Sequence, residues 1–149
     1  MTEQQHMSDV DLPDHVFRWL EAVQRRVARE LGPRLDDTGR AVGPRRLRVL
    51  QLIPHAGIRQ TELAARALVT KQALGQVIDG LEADGLVDRT LDPLDGRAWL
   101  VVLSPTGEKV AASFDQAMAD VEVELAKVAG PKDFATFMAV LRKLGSHEI

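Results

Sequence analysis

The chain has 149 residues, no cysteine, a formal net charge of -3 and 45% apolar residues. That is the size of one domain, large enough to bury a core without disulfides or a structural metal. The missing thiols exclude disulfide frameworks, thiolate zinc sites, iron–sulfur clusters, cysteine nucleophiles and sensing by thiol oxidation. No apolar run approaches the roughly 18 residues of a membrane span. The start "MTEQQHMSDVD" is polar and acidic rather than a charged-then-apolar leader, so a cytoplasmic protein is expected.

Leu12-Pro13-Asp14 reads as a helix start, and Val16, Leu20, Val23, Val27 and Leu31 then repeat at spacings of three and four, which predicts one long amphipathic helix ending near Gly32-Pro33. A second, short helix is expected after Gly43-Pro44, with Leu47, Leu50 and Ile53 inward, stopping at "PHAG". A third crosses "QTELAARAL". Thr70 can cap a fourth, "KQALGQVIDGLEADG", for which Gly85 is a natural terminator.

Gly85 to Leu91 then alternates apolar and polar, and Ala98 to Leu103 is branched and apolar, so two strands of a hairpin are expected. Asp92-Pro93-Leu94-Asp95-Gly96 supplies the turn and leaves Arg97 near the tip. From Pro105, the residues Val110, Phe114, Ala117, Val121, Leu125 and Val128 keep a seven-residue beat, and Phe134, Phe137, Leu141 and Leu144 mark a last helix after Gly130-Pro131. The expected fold is mainly α with a small β-hairpin. Stripes this long suggest a partner to bury them, and the two ends of the chain can pack together around a two-fold axis.

Charge is unevenly spread. Residues 34–97 hold ten Lys/Arg against nine Asp/Glu, whereas both flanking parts are net acidic. The sharpest basic cluster is Arg40, Arg45, Arg46 and Arg48. In the fourth helix Leu74, Val77, Ile78 and Leu81 share one face, and Gln72, Gln76 and Asp79 point opposite, with Lys71 and Gly75 on a flank. Glutamines can offer paired donors and acceptors to a base edge in the major groove, and a lysine can meet a phosphate or a guanine.

Several motifs occur in one order: E-L-A at Glu62-Leu63-Ala64, T-K-Q-A at Thr70 to Ala73, L-E-x-x-G-L-V at Leu81 to Val87, D-x-R at Asp95 and Arg97, and L-S-x-x-G at Leu103, Ser104 and Gly107. Together they resemble the winged helix-turn-helix of the multiple-antibiotic-resistance-regulator (MarR) family of bacterial transcription factors, over nearly the whole chain. The resemblance implies a single domain spanning 1–149, with dimerisation helices at 13–32 and 105–145 flanking a DNA-binding lobe at 44–104. It implies a homodimer on a near-palindromic DNA operator and DNA-contacting residues Arg59, Thr70, Lys71, Gln72, Gly75, Gln76, Asp95 and Arg97. Arg97 would reach the minor groove while Asp95 holds it in place.

Two positions depart from the family pattern. Gly96 stands where many relatives carry a second wing arginine, and Arg59 stands where a serine or threonine would cap a helix; Arg59 cannot accept from the backbone but can meet a phosphate. The resemblance also implies a small apolar or aromatic-acid effector, with His15, Trp19, Arg46 and Phe114 as wall residues by type, and a repressor released by it. Enzyme readings find no support: His6, His15, His55 and His147 are scattered without metal-ligand spacing, and no nucleophile elbow, phosphate loop or dinucleotide fingerprint is present. No cofactor or metal is expected. Two functions remain open, a DNA-binding regulator and a winged-helix protein-interaction module that does not bind DNA, since one fold serves either.

Overall fold

Leu47, Leu50, Leu63, Leu74, Ile78, Leu81, Val87, Val101 and Val121 are sealed from solvent and define where the chain closes on itself. The computed structural model describes residues 14–146. In chain order it consists of α1 (Val16–Leu31), a short 3-10 turn (Gly32–Arg34), α2 (Asp37–Val42), α3 (Pro44–Gln51), β1 (Ile58–Arg59), α4 (Gln60–Arg66), α5 (Lys71–Ala83), β2 (Val87–Asp92), β3 (Asp95–Leu103), α6 (Pro105–Ala129) and α7 (Pro131–Gly145). The strands form an antiparallel sheet in the order β1-β3-β2. The mainly α fold with a β wing is as the sequence implies.

The core has two neighbouring sources. Helices α3, α4 and α5 turn Leu47, Leu50, Leu63, Leu74, Ile78 and Leu81 against the sheet residues Ile58, Val87 and Val101. The first half of α6 then lays Val110, Phe114, Ala117 and Val121 on that lobe, and the end of α1 contributes Leu31. Further along α6 the same stripe emerges: Leu125 is half-buried and Val128 is exposed. The α1 stripe behaves likewise, since Leu31 is buried but Val16, Phe17, Trp19 and Leu20 are exposed, and α7 has no buried residue at all.

Where elements start and stop follows local chemistry. His15 caps α1 through Nδ1, which accepts from the Arg18 N–H at 3.2 Å; the expected start at Leu12-Pro13 lies outside the described residues. Asp36 caps α2, accepting from the Gly39 N–H at 2.7 Å. This six-residue helix was not expected from the sequence. β1 is a second unforeseen element: Ile58 and Arg59 pair with Val101 and Leu100, so the hairpin is the larger part of a three-stranded sheet.

The junction between wing and long helix is the tightest point of the fold. Ser104 is buried; its Oγ donates to the Gly85 carbonyl at 2.6 Å and accepts from the Gly107 N–H at 3.0 Å, and its own N–H donates to the Leu86 carbonyl at 3.0 Å. One side chain thus caps α6 and ties it to the chain leaving α5.

Candidate nucleic-acid interface

Helix α5 presents the residues expected to read DNA. Thr70 Oγ accepts from the Ala73 N–H at 3.1 Å, a cap whose loss costs about 1 kcal/mol. At the other end the Leu86 N–H donates to Leu81 and the Gly85 N–H to Glu82, with Gly85 at φ +72°. That paired closure uses the left-handed conformation glycine adopts without penalty. Between the caps Leu74, Ile78 and Leu81 are buried and Lys71, Gln72 and Gln76 are exposed. Gly75 is half-buried where α5 crosses α4: a Cβ there would lie 3.2 Å from Gln60 Nε2. Asp79, on the exposed side, pairs with Arg89 of β2 at 2.7 Å, and Arg89 also holds Glu82. This ion-pair group fastens the wing to the helix beside it.

The wing turn is shorter than expected. β2 and β3 close through Pro93 and Leu94, with Asp92 opposite Asp95. The next paired position is Leu91 with Trp99, so Gly96, Arg97 and Ala98 form an irregular segment with no partner on β2. Extra residues on one strand break the ladder and re-aim side chains, and Arg97 sits in the middle of this one, exposed. Its N–H donates to Asp95 Oδ1 at 3.2 Å. Among the described residues the side chains of Lys71, Gln72, Gln76 and Arg97 have no hydrogen bond or ion pair, whereas Arg59, Arg66 and Arg89 are all paired.

Arg59, expected to meet a phosphate, is engaged within the protein. Its Nε and Nη2 both donate to Asp92 Oδ2, at 3.1 and 2.8 Å, and Nη2 also reaches Asp95 Oδ2 at 3.3 Å. Asp92 is 8% exposed. The Arg59 hydrogen bonds, with one from the Leu94 N–H, hold its carboxyl below the ordinary value, and the same pairing raises Arg59. A carboxyl that titrates lower when folded contributes stability fully above its unfolded pKa, about 4, and loses it as the pH falls through the folded value. The pair is therefore intact throughout the neutral range.

The four residues expected to wall an effector site lie at three different helices, α1, α3 and α6. His15 and Trp19 are exposed at the start of α1, where Trp19 Nε1 donates to Asp14 Oδ1 at 2.5 Å. Phe114 is in the core. Arg46 bonds Asp84 Oδ2 at 2.6 Å, beside Gly80. A cavity of about 140 Å³ lies elsewhere, lined by Val49, Leu52, Val69 and Leu74 with the exposed Arg45 and Arg48. Among the described residues no group of His, Asp and Glu is placed to hold a metal ion, and no helix is long and apolar enough to cross a membrane.

Comparison with known proteins places these features. A model of the MarR family matches residues 42–98, the segment from the end of α2 into the first half of β3. The transcriptional regulator HosA of Escherichia coli O111:H- is 33% identical over 88 residues, covering 59% of this chain and 65% of that protein; the match thus spans just under two thirds of that relative's length. The reduced form of MarR from E. coli superposes with a TM-score of 0.74 at 26% identity, covering 90% of this chain and 98% of that one. CouR from Rhodococcus jostii RHA1, solved bound to p-coumaroyl-CoA, has the same fold, with a TM-score of 0.73, 22% identity and coverage of 88% and 92%. Family match, regulator relatives and superposed fold agree with the order of the motifs: residues 42–98 are similar to the MarR family, and the described chain has the winged helix-turn-helix fold of MarR from E. coli.

Proposed function

We propose that the protein is a homodimeric, sequence-specific DNA-binding regulator of the bacterial cytoplasm, a repressor released by a small aromatic acid. The observation that carries the DNA reading is the division of charge on one surface. Lys71 and Arg97 stand exposed and unengaged beside Gln72 and Gln76, while the neighbouring Arg59, Arg66 and Arg89 are consumed in ion pairs. A glutamine-bearing helix with a free basic wing suits base readout in a major groove and charge placed in the adjacent minor groove. Selection of bound duplexes from random-sequence DNA, followed by a salt titration of the winner, tests it. Binding that weakens steeply with salt supports the regulator, and absence of any selected sequence supports an interaction module instead.

The dimer rests on the apolar faces left open by the fold: Val16, Phe17, Trp19 and Leu20 on α1, Val128 on α6 and Leu144 on α7. Two copies joined there, through 13–32 and 105–145, would leave both winged lobes outward. Light scattering at micromolar concentration is expected to give about 33 kDa, twice the 16.4 kDa chain, as for a closed two-fold assembly. A mass of one chain would overturn this.

For the effector, the cavity under Arg45 and Arg48 supports the class of ligand. Its volume of about 140 Å³ is close to that of a dry cavity, roughly 150 Å³, that accepts a benzene ring. Both arginines are exposed, and the described residues offer them no ion pair, so an acid group on such a ring would find a partner. CouR, a neighbour in fold, was solved bound to p-coumaroyl-CoA.

A further inference from the structure

Arg59 occupies two structural positions at once. It is the residue before the first turn of α4, where its side chain makes no cap hydrogen bond, and among the described residues it is the only cation bonded to the carboxylates that flank the wing turn. The two carboxylates divide their oxygens in the same manner. Asp92 gives Oδ2 to Arg59 and Oδ1 to the Leu94 N–H at 2.9 Å. Asp95 gives Oδ2 to Arg59 and Oδ1 to the Arg97 N–H at 3.2 Å. A continuous chain of bonds therefore runs from the start of α4, through one guanidinium, into the backbone on both sides of the wing tip.

The ladder itself does not fix that tip. Gly96, Arg97 and Ala98 have no cross-strand partner, and a Cβ at Gly96 would meet nothing within 4 Å, so pairing does not set the path of this segment and no packing holds it at Gly96. The carboxylates are also a liability near DNA, since an unpaired and nearly buried Asp92 would be costly and two free negative charges would repel phosphate. A fork of donors matched to carboxylate geometry removes both problems, and a lysine's point charge does so less well.

We propose that Arg59, Asp92 and Asp95 form a clasp that sets the posture of Arg97, making Arg59 a positioning residue for the minor-groove contact rather than a DNA contact. The inference rests on the DNA-binding reading above. Its test uses the full chain and the duplex that wild type selects from random-sequence DNA, with affinity and salt slope measured for Arg59→Ala, Arg59→Lys, Arg97→Ala and the Arg59→Ala/Arg97→Ala pair.

Arg59→Ala should lose about tenfold in affinity, most of what Arg97→Ala loses, and Arg59→Lys should recover only part of it. The double variant should bind no worse than Arg97→Ala alone, because residues acting through one contact do not add. Independent, additive losses, with a further drop in salt slope in the double variant, would mean that Arg59 meets phosphate itself and would overturn the proposal; so would wild-type affinity in Arg59→Ala. Should Arg59→Ala fail to fold, Asp92→Asn keeps an acceptor for Leu94 while weakening the hold on Arg59, and a smaller loss, again absent from the background of Arg97→Ala, is expected.

Hydrogen exchange in the free protein separates the clasp from the DNA reading. Wild type should protect the Leu94 and Arg97 amides, and Arg59→Ala should expose them while the amides of α5 remain slow. Unchanged protection in Arg59→Ala removes the clasp whatever the DNA result. A wild type that selects no DNA removes the regulator reading, and the exchange measurement still decides the clasp.

Discussion

Gly107→Ala is expected to destabilise the fold by about 3 kcal/mol or more, the upper end for an overpacked site. A Cβ built on Gly107 falls inside contact distance of the Leu86 carbonyl oxygen and 2.9 Å from its carbonyl carbon. Neither obstacle is the end of a flexible side chain. To make room, α6 has to withdraw from the strand base, and that stretches the bond from the Ser104 N–H to the same Leu86 carbonyl and the bond from Ser104 Oγ to Gly85. Several buried polar groups then lose partners together, which is how one added methyl group exceeds its own volume in cost.

At 2–4 °C per kcal/mol for a chain of this size, the melting temperature should fall by roughly 6–12 °C. Thermal unfolding at one fixed protein concentration measures it, because association alters apparent stability. A fall of only a degree or two would show that the junction has slack. Gly96→Ala serves as the contrast: it meets nothing within 4 Å and should change stability little.

Helix α5 was legible because its signals are local. A cap three residues from the N–H it accepts and a glycine at the closing turn lie within the segment they define, so Thr70 and Gly85 could be placed from the sequence. The inward set Leu74, Ile78 and Leu81 follows from period alone. Residues 37–42 and 58–59 carry too few turns or alternations for any period to show. Asp36, followed by Asp37 and Thr38, was a cap signal that the glycine at 39 obscured. L-S-x-x-G was recognisable as a motif, but the need for glycine at its end comes from a carbonyl across the fold.

Pairings over long separations were invisible in the same way. Arg59 and Arg46 were assigned to ligands by their charge and position, yet Asp92 and Asp84, 33 and 38 residues away, take their guanidinium groups. Free cations are what a ligand-binding surface requires, and a sequence does not say which cations are already spent. Once those pairs are known, Lys71 on α5 and Arg97 on the wing are seen to be unpaired among the described residues, as are Arg45 and Arg48 on α3.

The unpaired cations Lys71 and Arg97 make positioning and reading separable by experiment. If the proposed dimer places α5 of each copy in one of two successive major grooves, the selected operator should be a near-palindrome whose half-site centres lie about one helical turn, roughly 10 bp, apart. Arg97→Ala should weaken binding by about 1–3 kcal/mol and lower the salt slope by about one unit for each wing, since a phosphate-flanked charge is removed with its released counterion. Base preference in the major groove should hardly move, because Arg97 lies in the wing segment between Asp95 and Trp99 and not on α5.

Gln72→Ala and Gln76→Ala should show the opposite pattern. They remove no charge, so the slope should hold while discrimination among bases in the half-site relaxes. Lys71, at the first turn of α5, combines both possibilities, and a change in slope, in preference or in both identifies whether its contact is phosphate or guanine. Salt titrations of each variant on the selected operator and on its single-base variants measure all of these together. Unchanged affinity and slope in Arg97→Ala would make the wing a structural hairpin. Unchanged preference in both glutamine variants would instead move base reading off the exposed face of α5, leaving that helix to hold the sheet and the wing in place through Asp79, Glu82 and Arg89.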